Sequence, residues 1–73
     1  MSTFTIIIEQ GETGTFGAWS PELPGCVAVA DEQGECLTLM REAIELHLED
    51  MRAKGEPIPQ TGTVAATTFT TAA

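Results

Sequence analysis

Basic residues are scarce in this chain. Arg41, Arg52 and Lys54 stand against eleven acids, and the formal net charge is -8. That scarcity argues against direct binding of nucleic acid, because phosphate contacts need clustered Lys and Arg. It argues equally against an anionic membrane surface. Long apolar runs are also missing. Spanning a bilayer takes roughly 20 apolar residues, whereas runs such as Ile6-Ile7-Ile8 are strand-sized. The N-terminal stretch MSTFTIII carries no basic residue and no small-residue cleavage site, so no signal peptide is expected and the reading is cytoplasmic. Cysteine is sparse too. Cys26 and Cys36 are too few for a disulfide scaffold and read as buried free thiols.

What is present describes one small folded domain. The length of 73 residues lies near the size at which a single core is only just sufficient. Hydrophobic residues make up 42% of the chain, too many for a disordered composition. Residues 3–9 (TFTIIIE) are β-branched and aromatic and predict a strand with Phe4, Ile6 and Ile8 on one face and Thr5, Ile7 and Glu9 on the other. The glycine-bracketed GETG at 11–14 suits a hairpin loop longer than two residues. Residues 15–20 (TFGAWS) predict a second strand, in which Gly17 marks a bulge or a close backbone approach. Pro21 to Gly25 must be a connection, since neither proline can donate to a ladder. Residues 26–31 (CVAVAD) predict a third strand, its small side chains suited to close packing under a helix.

The strongest element is a helix over 35–54, free of proline and glycine. At about 100° per residue, Cys36, Met40, Ala43, Ile44, His47 and Met51 form one apolar stripe. Leu37 and Leu48 widen one edge, and Leu39 and Leu46 the other. The opposite face is Thr38, Arg41, Glu42, Glu45, Glu49 and Arg52, with Arg41 and Arg52 spaced to pair with Glu45 and Glu49. Gly55 occupies the expected C-cap, with Pro57 just beyond. The uncharged segment 63–71 (TVAATTFTT) fits either a fourth strand or a Thr/Ala-rich tail.

The expected fold class is therefore α+β. A three-stranded antiparallel meander carries one long helix on one face, in the order β-β-β-α with a fourth strand left open. The other sheet face has no cover, and regular alternation puts Ile7 and Trp19 on it. An uncovered apolar face in so small a domain implies a partner or a homodimer.

The segment Ser20–Cys26 (SPELPGC) resembles the P-[DE]-L-P-G-C signature of the HicB-like antitoxin family. The stretch 41–59 (REAIELHLEDMRAKGEPIP) is similar to that family's E-A-[LI]-x-L-H-L run closing in G-x-x-I-P. The two blocks occur in order at the family's separation, and the likeness covers residues 3–59. The resemblance implies a partial ribonuclease-H-like domain of order β-β-β-α-β. It also implies a partner, the HicA-type toxin, a small basic ribonuclease that the antitoxin blocks by occlusion. Many relatives add a DNA-binding segment, but nothing after Pro59 resembles one, so a single HicB-like domain over 1–73 is expected, without direct contact to nucleic acid. Where relatives have G-[YF]-x-V-x-[FV]-P, this chain has Gly14-Thr15-Phe16-Gly17-Ala18-Trp19-Ser20-Pro21, with the aromatic shifted by one.

Candidate site residues follow from these blocks. Pro21, Glu22, Leu23, Pro24, Gly25 and Cys26 form the signature turn, read chiefly as architecture: proline fixes φ, glycine permits positive φ, and Leu23 and Cys26 anchor the turn in the core. His47, the one histidine, is read as a packed, hydrogen-bonded core residue and not as a general base. Cys26, Cys36 and His47 lack any C-x-x-C spacing, so no metal is expected, and no cofactor. Glu42, Glu45 and Glu49 point away from the stripe and do not converge with Glu9. They read as a solvated acidic surface suited to a basic partner, not as a nuclease centre. A binding protein resembling an antitoxin, not an enzyme, is the expectation, with an orphan homodimeric domain as the alternative.

Overall fold

The computed structural model describes residues 2–59, 62 and 64–72 of the chain. Strands β1 (Ile7–Gln10), β2 (Phe16–Trp19) and β3 (Val27–Ala30) form an antiparallel sheet in the order β1-β2-β3, followed by one long helix, α1 (Gln33–Ala53). The architecture is the α+β meander with a single covering helix.

The strands are shorter than their sequence stretches, and register explains why. Ile7 pairs with Trp19, so Thr5 falls opposite Pro21, which has no N–H to offer. The Thr5 amide instead donates to Glu22 Oε1 at 2.5 Å. Phe4 and Ile6 lie outside the ladder yet still pack on the core. The β1–β2 loop is closed by Gly11 N–H to Thr15 O (2.9 Å) and by Gly14 N–H to Gly11 O (3.0 Å). Gly17 produces no bulge. It sits in unbroken register between Glu9 and Val29, and a side chain there would meet nothing within 4 Å.

The link from β2 to β3 is two consecutive turns. Leu23 N–H donates to Ser20 O (3.2 Å) and Cys26 N–H to Leu23 O (3.1 Å). Each turn has proline at its second position, and Gly25, at φ +86, supplies the positive φ that a type II turn needs at its third. Leu23 is 1% exposed, so the shared corner of the two turns is driven into the core.

The helix begins two residues earlier than expected, at Gln33, because the first turn tolerates Gly34: its early amides have no intrahelical acceptor anyway. It ends as the sequence requires. Gly55 adopts φ +72, its N–H donates to Arg52 O (3.1 Å), and Glu56 N–H donates to Met51 O (2.9 Å), the paired bonds of a Schellman cap. After the helix, Ile58 packs against the core. Residues 64–72 contain no strand, and Val64 and Phe69 stand in solvent. Strand propensity without a paired neighbour does not make a strand. Thr63, the first residue of the expected fourth strand, lies outside the described residues, as do Gln60, Thr61 and Ala73.

The core lies between the sheet and the helix. Cys36, Met40, Ile44 and Leu48 are buried against Ala18, Leu23, Cys26 and Ala30. Leu48 is thus part of the buried row and not its edge, while Leu46 is 67% exposed. The helix packs most heavily on β3. Alanine at positions 18, 28 and 30 lets the two layers approach closely.

Candidate partner-binding surface

The outer face of the sheet presents two cross-strand rows. Ile7, Trp19 and Val27 form one; Glu9, Gly17 and Val29 form the other. Antiparallel pairing fixes these rows, since side chains at paired positions share a face. Among the described residues, no helix or further strand covers them. Val27 and Val29 are 61% and 64% exposed, Trp19 is 40% exposed, and Ile7 is half-buried. Trp19 Nε1 donates to Glu9 Oε1 at 2.5 Å, joining the two rows diagonally. Where Gly17 lacks a side chain, the face forms a shallow, open hollow whose lining includes Glu9, Trp19, Val27 and Val29.

Of these residues the sequence indicated Ile7 and Trp19. Val27 and Val29 were missed, although the alternation in CVAVAD carries the signal: the alanines turn to the helix and the valines turn outward. The bond between Glu9 and Trp19 had no signal, because it depends on the hairpin's register.

The signature turn lies at the end of the sheet. Leu23 and Cys26 are buried, Glu22 is half-buried, and Pro21, Pro24 and Gly25 are exposed. Burial pushes the Cys26 thiol above its ordinary value. Cys36 is buried and free, its thiol directed to Ala28 O at 3.8 Å. Ser20, at the head of the turn, is 2% exposed, and its Oγ has no hydrogen-bond partner among the described residues.

On the helix, Cys36, Met40 and Ile44 are buried, and Ala43, His47 and Met51 are half-buried. His47 makes no side-chain hydrogen bond among the described residues, in contrast to the hydrogen-bonded histidine expected, because the layer beneath it is apolar. Glu42, Glu45 and Glu49 are exposed on the opposite side. The expected pairs with Arg41 and Arg52 do not form among the described residues; the ion pair that does is Lys54 Nζ to Asp50 Oδ2, 2.9 Å apart and exposed. Glu42, Glu45 and Glu49 therefore make no salt bridge among the described residues. Among the described residues, no three metal-ligating side chains gather, and no helix is long and apolar enough to cross a membrane.

Comparison with known proteins identifies a family. Residues 4–71 match the family model described as HicB-like antitoxin of bacterial toxin–antitoxin system. A UPF0150 protein of Synechocystis sp. is 33% identical over 57 residues, which cover 78% of this chain and 72% of that protein. A UPF0150 protein of Thermoplasma acidophilum is 33% identical over 57 residues, covering 78% and 83% respectively. One from Archaeoglobus fulgidus is 44% identical over 46 residues, covering 63% and 67%. No solved structure gives a significant match. The signature turn, the helix block and the match over nearly the whole chain lead to one assignment: this protein belongs to the HicB-like antitoxin family of bacterial toxin–antitoxin systems.

Proposed function

We propose that this chain neutralises a small basic ribonuclease toxin of the HicA kind by covering it. The outer sheet face is the contact surface, and the acidic helix steers the approach. The observation that carries this reading is the uncovered apolar face of Trp19, Val27 and Val29 in a chain of net charge -8. Large apolar side chains grouped in water mark an interaction surface. Exposed Glu42, Glu45 and Glu49 supply long-range attraction for a basic protein, which raises association rates and weakens with salt. The chain acts by binding, in the cytosol, without metal or cofactor and without touching nucleic acid itself. The β-β-β-α order is, in this reading, a partial ribonuclease-H-like arrangement serving as a scaffold.

The second reading, a homodimeric regulatory domain without a toxin, rests on the same uncovered face. Affinity purification of the tagged chain from its host at low and high salt separates the two. A small basic protein recovered in stoichiometric amount, lost at high salt, whose RNA cleavage stops on adding one equivalent of the chain, supports the antitoxin. Recovery of the chain alone as a dimer transfers the assignment to the second reading.

A further inference from the structure

Glycine in the middle of a paired strand is unfavourable, because it contributes backbone entropy loss and no packing. Gly17 does so without a local reason. Its φ is not positive, it makes no bulge, and nothing approaches within 4 Å of the place where a Cβ would stand. What it creates is the opening on the outer face. That opening is bordered by an indole, a carboxylate and two valines. Glu9 is the one charged side chain among the six outward positions of the ladder, and one of its oxygens already accepts the Trp19 N–H. The bond holds the acid beside the ring and leaves the second oxygen available as an acceptor.

We propose that the depression over Gly17 is a socket for a single arginine side chain of a protein partner. The aliphatic stem lies along Val27 and Val29, and the guanidinium meets the Trp19 indole and the Glu9 carboxylate. Arginine suits this set better than lysine: its planar, weakly hydrated head stacks on aromatic rings and donates in a fork to a carboxylate. Charge complementarity favours a basic partner over a second copy, which would bring two Glu9 side chains together between molecules of net charge -8. The inference rests on the proposed binding of a basic protein and names the side chain by which that protein is held.

Trp19 is the single tryptophan, so its indole N–H gives one isolated NMR signal. The full chain is titrated with N-acetyl-arginine amide, and with the neutral citrulline analogue as control. The expected result is a saturable millimolar shift of that signal with arginine and none with citrulline. Glu9→Gln should weaken the arginine response about two- to fivefold. Gly17→Val should abolish it while the fold is kept, since a β-branched side chain suits a strand and finds open space there. No saturable shift, or equal shifts with both probes, overturns the socket. So does a shift that follows protein concentration alone, which would give the face to a second copy. The titration needs no toxin, so its failure is distinct from failure to recover one.

Discussion

The two faces of this small sheet follow opposite rules. The inner face carries Ala18, Ala28 and Ala30 under the helix, with Ile8 and Phe16 packed beside them on the core. The outer face carries Trp19, Val27 and Val29 and is left to solvent. If burial were the sole demand, the larger apolar residues would sit inside, where each fully buried side chain contributes about 1.5–3 kcal/mol. The alanines on the covered side reflect the demand of the helix packed on them. A 21-residue helix needs a shallow bed to approach closely, and small side chains make one. Trp19, Val27 and Val29 remain on the uncovered side, the surface proposed above for a partner.

Substitutions sharpen the contrast, beginning with the covered side. Met40 is fully buried, and Met40→Ala should cost about 2–5 kcal/mol by urea unfolding. In a domain of this size that loss brings the chain close to unfolding. Gly25→Ala forces a Cβ into the left-handed region at φ +86 and should cost about 1–2 kcal/mol, read as a lower melting temperature. Ser20→Ala removes a buried hydroxyl that has no partner among the described residues, and should leave stability unchanged or raise it by up to about 1 kcal/mol. On the open side, Val29→Thr should alter stability by no more than about 0.5 kcal/mol, since Val29 is 64% exposed. The same change should weaken partner binding about tenfold in a calorimetric titration. Equal losses of stability from Met40→Ala and Val29→Thr would erase the distinction between the faces.

Much of this was readable from residue order. Proline at 21 and 24 with glycine at 25 dictates a turn wherever it occurs, because the constraint lies in the backbone of those residues. The helix was readable for a similar reason: its apolar spacing, its freedom from proline and the glycine at 55 act within a few residues of chain. Its edges were less readable. Leu46 and Leu48 are both apolar and two residues apart, yet Leu46 is 67% exposed and Leu48 6% exposed, because the bed beneath the helix is narrow. Strand ends were set by what lay opposite them, as Pro21 shows in ending the ladder before Thr5.

Local chemistry thus dictated the meander, the double turn, the helix and its cap, since each depends on dihedral preferences and short-range hydrogen bonds. The outer face depended on assembly. Ile7, Trp19 and Val27 share a row, and Glu9 reaches the indole across Gly17, because the hairpin's register sets them side by side. Register is fixed by the closed β1–β2 loop together with the face buried under the helix, and a slip of one residue would exchange the inner and outer sets.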